Sequence, residues 1–345
     1  MKVLITGGSG FIGTNLIQSY IDQGVDVLNL DWNPPLNVAH ASHWREVDIM
    51  DAALLNDAFS TYQPTHVVHL AARTDTDIYE LDGDLNEYVQ NTQGTQHVLD
   101  AIRATPGVER AIITASMFVC EAGYLPRHDQ DYRPFTLYGV SKKLTEEYTR
   151  AADLPCPWTI IRPQTIWGPW SLRYRDVMFK VMNKGLYFHP SKKNVRRAYG
   201  YVGNVVWQIQ QILQAPEAAV NEQVFYVGDR PIDLRNWVEQ ISLELTGKPV
   251  RLLPTPLVKG IALTGDLLKR VNVRFPLTST RFDSMTQDYL APIEKTYETL
   301  GSPPYSTEAG VKEMIAWHKT DAAHVPQLAG RKLRAEAPEQ TVATV

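Results

Sequence analysis

The sequence predicts an α/β fold, a doubly wound parallel sheet carrying a smaller mixed α/β domain. Three observations lead there. Short apolar runs alternate with amphipathic stretches through the first half of the chain, the pattern of consecutive βαβ units. A glycine-rich turn follows the first apolar run directly and opens a helical pattern. After Pro163 the rhythm changes, and shorter, more mixed segments follow.

Strands are expected at residues 2–6, 25–30, 66–70, 111–114 and 158–161, with helices between them at 12–23, 52–62, 85–104 and 138–152. That alternation is the Rossmann-type arrangement, with helices on both faces of a parallel sheet. Val47-Asp48-Ile49 follows what reads as a further short strand. In the second half, 224–227 reads as a strand and 234–245 as a helix, so parts of 198–245 interleave with the first domain. The expected division is a dinucleotide-binding domain over 1–165 and a substrate domain over 166–326. The polar tail, 327–345, lacks apolar periodicity and is expected to be flexible. No internal repeat is present.

The 345 residues, 44% hydrophobic and 21% charged, have an ordinary globular composition rather than a disordered or collagenous one. A net charge of −4 gives no basic footprint for nucleic acid. Cys120 and Cys156 are the only cysteines, too few for a disulfide framework and too far apart for a zinc motif. A reducing cytoplasm and no metal are therefore expected. Only a short apolar run precedes the first glycines, which is not the core of a secretory leader. The apolar stretch 252–271 is interrupted by Pro254, Pro256, Lys259, Gly260 and Asp266, so it reads as no membrane span, though it could lie against a membrane surface.

The strongest local motif is Thr6-Gly7-Gly8-Ser9-Gly10-Phe11-Ile12-Gly13. Glycines there permit a tight turn and let backbone N–H groups approach a pyrophosphate at the positive end of a helix. A purely structural turn would use the same residues. Asp31 ends the second expected strand, where a carboxylate accepts hydrogen bonds from ribose hydroxyls and repels a 2′-phosphate. The competing reading is a solvated turn acid before Asn33-Pro34-Pro35. In register with the glycines, Asp31 favours NAD over NADP. Asp48 either caps the following helix or meets the adenine.

Tyr138-Gly139-Val140-Ser141-Lys142 sets a phenol and an ammonium four residues apart on one helix face. A free phenol is ionised to about one part in a thousand at neutral pH, and bringing its pKa to 7 takes about 4 kcal/mol. One ammonium at about 6 Å, in an effective dielectric near 20, supplies roughly 2.8 kcal/mol. The pair is a candidate proton shuttle, and an ordinary surface helix pair is the alternative. Ser116 follows the strand 111–114 and sits at the carboxyl edge of the sheet, where ligands of such folds bind.

Together these motifs resemble the extended short-chain dehydrogenase/reductase family, in its NAD-dependent epimerase/dehydratase branch, over residues 1–320. The resemblance implies cofactor contacts at Gly7, Gly10, Phe11, Ile12, Gly13, Asp31, Asp48 and Ile49. It adds Leu70, Ala71 and Ala72 of His69-Leu70-Ala71-Ala72, and Asn91 of Asn91-Thr92-Gln93-Gly94-Thr95. Ser116, Tyr138 and Lys142 fall on the family's catalytic positions. By resemblance, Tyr138 moves the hydroxyl proton, Lys142 lowers its pKa and holds the nicotinamide ribose, and Ser116 orients the oxygen. Arg162-Pro163 to Gly168-Pro169 is similar to the segment entering the substrate domain. Leu300-Gly301 and Gly310-Val311 match a C-terminal pattern.

Departures narrow the expectation. Met117-Phe118 stands where 4,6-dehydratases of this branch carry an Asp-Glu pair, and Val119-Cys120-Glu121 replaces the usual Val-Tyr-Gly. Thr165 stands where an Asn often binds substrate. Arg197 resembles the arginine that grips a nucleotide-sugar diphosphate, with Lys192, Lys193 and Arg196 nearby, while Asn204 replaces an expected acid. A solvated basic loop is the alternative there. His66 and His69, three apart on a strand, face opposite sides and share no metal. Gly247-Lys248, with Ser242 where a P-loop needs Gly, is no triphosphate site.

The leading expectation is an NAD-dependent nucleotide-sugar epimerase. A 3β-hydroxysteroid or sterol-type dehydrogenase, a keto-sugar reductase and a non-catalytic NAD-binding protein are the alternatives. Asp31 argues against an NADPH-dependent reductase, and the complete Ser116, Tyr138 and Lys142 set against the non-catalytic protein. By resemblance, a homodimer forms through the helices at 85–104 and 138–152.

Overall fold

Each strand of the sheet alternates its apolar side chains between two helical layers, the period-2 consequence of an extended backbone. Val3 and Ile5 join a core with Leu16, Ile17 and Tyr20, whereas Leu4 between them packs with Leu55, Phe59 and Ile102 on the opposite face. The computed structural model describes residues 1–74, 81, 83–191, 195–270, 275, 277–320 and 325. The expected tail at 327–345, and Lys192 and Lys193, lie outside the described residues.

The strands are β1 (Lys2–Thr6), β2 (Asp26–Asp31), β3 (Trp44–Glu46), β4 (His66–His69), β5 (Arg110–Thr114) and β6 (Trp158–Pro163), joined by a seventh, Gln223–Val227. The spatial order is Gln223–Val227, β6, β5, β4, β1, β2, β3, and every pairing is parallel. This is the doubly wound Rossmann-type order. The seventh strand returns from the second half of the chain to sit beside β6, Phe225 opposite Ile161.

Helix α1 is Phe11–Asp22, α2 is Ala52–Tyr62, α3 is Val89–Arg103 and α4 is Leu137–Ala151. The span expected as one helix at 85–104 divides into a 3₁₀ turn, Leu85–Tyr88, and α3. Asp51 caps α2, accepting from the N–H of Ala53 at 3.1 Å and Leu54 at 3.0 Å. The capping alternative for Asp48 is therefore corrected: its carboxylate instead accepts from Met50 N–H at 2.9 Å, one turn earlier. α3 packs against α2 and α4 on one face, and α1 against the helix Val202–Gln214 on the other.

The smaller domain is assembled from two-stranded pairs. Thr165–Trp167 pairs with Tyr199–Tyr201, Arg196–Arg197 with Ile232–Asp233, and Phe188–Pro190 with Arg251–Leu253. Helices Leu234–Thr246, Thr255–Arg270, Ser279–Thr286, Glu294–Leu300 and Thr307–Thr320 surround them. Among the described residues no helix is long and apolar enough to cross a membrane.

Candidate active site

β1 has β2 on one side and β4 on the other, so the connections leaving their carboxyl ends run to opposite faces and open a crevice there. The glycine turn lines it. Gly7 adopts φ +75°, and a Cβ on it would lie 2.5 Å from the backbone nitrogen of Ala71. That close approach seats Leu70-Ala71-Ala72 against the turn, and Leu70 N–H donates to the Thr6 carbonyl at 2.9 Å. A Cβ on Gly13 would lie 2.5 Å from Gly8 Cα, so only a glycine lets α1 start this close to the loop. Gly10 precedes α1 without a side-chain cap, and Phe11 and Ile12 open the helix with no acid in its first turn. An uncapped positive helix end behind a tight glycine cradle fits the pyrophosphate of a dinucleotide.

Asp31 lies beside that cradle. Its carboxylate accepts from Ser9 N–H at 3.1 Å and Asn33 N–H at 2.8 Å, which ties the acid at the end of β2 to the glycine loop. These are the contacts of a turn acid. Asp48 and Ile49 lie beyond β3: Ile49 is buried, its side chain abuts Gly94, and its carbonyl is 3.0 Å from His97 Nδ1.

His69 and Asn91 hold the β4 edge. His69 is fully buried between Thr6 Oγ1 at 2.7 Å and Thr95 Oγ1 at 3.2 Å. Burial first, and then the nearby Lys142, push its pKa down to about 3, so it is neutral and structural. Asn91, also buried, accepts from Arg73 N–H at 2.8 Å and donates to the Arg73 carbonyl at 3.0 Å and Ser141 Oγ at 2.9 Å. It pins the loop after β4 to both α3 and α4.

Ser116 ends the β5 connection and caps the turn Met117–Val119, accepting from Phe118 N–H at 3.2 Å. Its hydroxyl lies close enough to the Tyr138 phenol to lower that group's pKa. Thr136 caps α4 through Gly139 N–H at 3.0 Å, which fixes the first turn of the helix and Tyr138 within it. Burial pushes the Tyr138 phenol up to about 12, against a lowering by Ser116 and with a raising by Tyr88. Lys142 is buried, and its Nζ donates to the Thr114 carbonyl at 2.9 Å. Burial brings its pKa down to about 7, opposed by Glu146. Desolvation is the first cause of both shifts, raising the phenol and lowering the ammonium, and neither group figures among the causes of the other's shift.

On the other wall, Arg197 is 8% exposed. It donates Nη1 to the Gln287 carbonyl at 3.2 Å and lies over the rings of Tyr199 and Tyr289 at 5.9 and 5.3 Å, while its buried Nε has no hydrogen-bond partner among the described residues. Thr165 neighbours it through the backbone, donating its N–H to Ala198 O at 3.2 Å. Asn204 donates to Asp229 Oδ1 at 2.7 Å. Burial pushes the Asp229 carboxyl up to about 6, against the lowering by Tyr201 N–H and Asn204, and an acid at 204 would set two carboxylates face to face.

Sequence reasoning missed the aromatic partition between these walls. Phe118 lies 5.9 Å from the Tyr138 ring and 6.2 Å from the Tyr289 ring, and Tyr88 lies 6.1 Å from Tyr138. Tyr138, Phe118, Tyr289 and Arg197 thus form one continuous line. It also missed a buried ion pair behind α4: Arg162 donates Nε and Nη2 to Glu146 at 2.7 and 2.9 Å, and Nη1 to Tyr226 OH at 3.0 Å. The spacing of Glu146 four residues after Lys142 is its only trace in the sequence.

Fold and crevice define a dinucleotide-dependent enzyme of the short-chain dehydrogenase/reductase type. The chain belongs to the NAD dependent epimerase/dehydratase family, whose model matches residues 3–228. It is 28% identical to a UDP-glucose 4-epimerase of Vibrio cholerae, over 90% of this chain and 94% of that one. It is also 28% identical to a 3 beta-hydroxysteroid dehydrogenase/Delta 5-->4-isomerase of Mycobacterium tuberculosis, over 92% of this chain and 90% of the other. In fold it resembles the structure of UDP-glucose 4-epimerase from Thermotoga maritima with UDP-glucose, with a TM-score of 0.70, 22% identity and coverage of 92% and 99%.

Proposed function

We propose that the chain epimerises a nucleotide sugar by transient oxidation of a ring hydroxyl to a ketone. The observation that carries this reading is the Arg197 guanidinium, buried with an unpartnered Nε and separated from Tyr138 by the rings of Phe118 and Tyr289. A desolvated guanidinium with a free donor suits a diphosphate, and a steroid offers no anion to it. The likeness to the Vibrio cholerae epimerase supports the same choice.

On this reading residues 1–165, with parts of 198–245, hold NAD, and 166–326 hold the sugar. NAD supplies hydride acceptance and return. Gly7, Gly10, Phe11, Ile12 and Gly13 cradle the pyrophosphate, and Asp31 accepts from the adenosine ribose. Asp48 and Ile49 border the adenine, and Leu70, Ala71 and Ala72 line the dinucleotide. As a phenolate, the form that the cationic nicotinamide of bound NAD would favour against the burial of the phenol, Tyr138 would take the proton of the substrate hydroxyl at its phenol oxygen and return it, Ser116 would orient that oxygen, and Lys142 would hold the nicotinamide ribose. Arg197 binds the diphosphate and Thr165 the sugar. A homodimer through α3 and α4, which lie side by side on one face of the sheet, and a cytoplasmic setting, consistent with free Cys120 and Cys156, complete the proposal.

The test follows UDP-glucose and UDP-galactose by proton NMR alongside absorbance of reduced nicotinamide. Interconversion of the two sugars without net NADH is the expected result. Net NADH with a hydroxysteroid, and inert sugars, would overturn it; light scattering reads the dimer.

A further inference from the structure

The helix Thr255–Arg270 sits at the edge of the smaller domain and is held along one stripe only. Val258 and Ala262 are fully buried, in a cluster with Leu277 and Phe282. A Cβ on Gly265 would collide with the Leu277 carbonyl at 1.9 Å. Positions 258, 262 and 265 are the i, i+4, i+7 stripe of a docked helix. The opposite face is apolar as well, and among the described residues it is exposed. Leu257, Leu263 and Leu267 are 53%, 52% and 61% exposed, with exposed Pro256 and Gly260 among them.

The charge carried by this stretch of sequence is predominantly of one sign. Between residues 248 and 270 the sequence carries Lys248, Arg251, Lys259, Lys269 and Arg270 against the single acid Asp266, in a chain whose net charge is −4. Asp266 Oδ1 accepts from the Ser279 N–H at 3.1 Å, so part of that lone negative charge is engaged in the fold. Lys248, Arg251 and Lys259 are exposed. A leucine face on a basic helix of 16 residues, about 24 Å long, is too short to span a bilayer and suited to lie in its surface. A second copy of this chain would bring two such basic faces together, whereas an anionic lipid surface neutralises them.

We propose that the helix Thr255–Arg270 docks the protein on anionic phospholipid bilayers, inserting Leu257, Leu263 and Leu267 between headgroups that Lys259 and its basic neighbours attract. The proposal is independent of the sugar chemistry.

Co-sedimentation of the full chain with vesicles of mixed phosphatidylglycerol and phosphatidylcholine, against phosphatidylcholine alone, reads it directly. About tenfold more protein is expected on the anionic vesicles, falling with added salt. The variant Leu257→Ser/Leu263→Ser/Leu267→Ser alters only exposed side chains, so its circular dichroism and its turnover of soluble UDP-glucose stay at the wild-type level while vesicle binding is lost. Lys259→Glu is expected to lower anionic binding several-fold and leave neutral binding unchanged. Equal binding by wild type and the triple variant overturns the proposal. So does a wild type that stays off both vesicles, including one whose dimer the triple variant dissociates in light scattering, which would make the face a contact between copies.

Discussion

Lys142 and Arg197 are both buried basic side chains, and their surroundings differ in kind. Lys142, 2% exposed, rests on a continuous sheet and donates to a strand-end carbonyl. Close by, Asn91 joins Arg73, Ser141, Thr95 and Thr145 through its side chain and its carbonyl. Arg197 stands on a two-residue strand with one backbone acceptor, two ring faces and an unpartnered Nε. One wall is held by a dense set of hydrogen bonds; the other carries a buried donor without an acceptor among the described residues. Fixed geometry serves proton and hydride transfer, which need alignment, whereas a substrate grip gains from a donor that folding has left unused.

The sharpest break of this contrast is Tyr138→Phe. Turnover is expected to fall by about 10³-fold or more, while NAD affinity by calorimetry stays within about twofold because the phenol carries no cofactor charge. Equal losses in both would mean that the residue shapes the cofactor wall rather than the chemistry.

Next is the support behind that wall. Arg162→Ala leaves Glu146, fully buried, without its main counter-charge, and is expected to cost about 3–5 kcal/mol in urea unfolding. A loss below about 1 kcal/mol would show that water or Arg150 replaces the guanidinium.

On the other wall, Arg197→Met is expected to raise KM for a UDP-sugar about 10–100-fold with little change in kcat, the signature of lost ground-state binding. A fall in kcat at constant KM would instead place Arg197 in the transition state and erase the contrast.

The smallest effect is a pH slope. Lys142 has its pKa near 7 when folded, against 10.5 for the free side chain. Between these values the unfolded chain keeps a proton that the folded chain has shed, so stability rises with pH across that window and is flat below it. Lys142→Met removes the contribution. The thermal midpoint of the wild type is then expected to climb more steeply from pH 7 toward 10 than that of the variant, and parallel profiles would refute the depressed pKa.

The sheet-forming half was legible because its determinants are local. Strand and helix periods, the glycine turn and the Tyr138-to-Lys142 spacing each lie within one or two elements. α2 matched its expected bounds, and β2 shifted by one residue because Asp31 pairs with Glu46 of β3, a contact no local pattern encodes. The span 85–104 split because Asp84 caps a 3₁₀ turn, accepting from Asn86 N–H at 2.9 Å, before α3 begins. The line from Tyr138 to Arg197 was illegible: Phe118 read as a departure, and Tyr289 lies far along the chain from both.

By itself, then, the sequence determined the doubly wound sheet, the glycine turn with Asp31 beside it, and the placing of Ser116, Tyr138 and Lys142 at the strand end and helix start, since backbone geometry and spacing suffice for them. Only the tertiary structure decided the protonation of those residues, the free donor on Arg197 and the exposed leucine face. Each of these depends on which surfaces folding buries, and desolvation is set by neighbours distant in sequence.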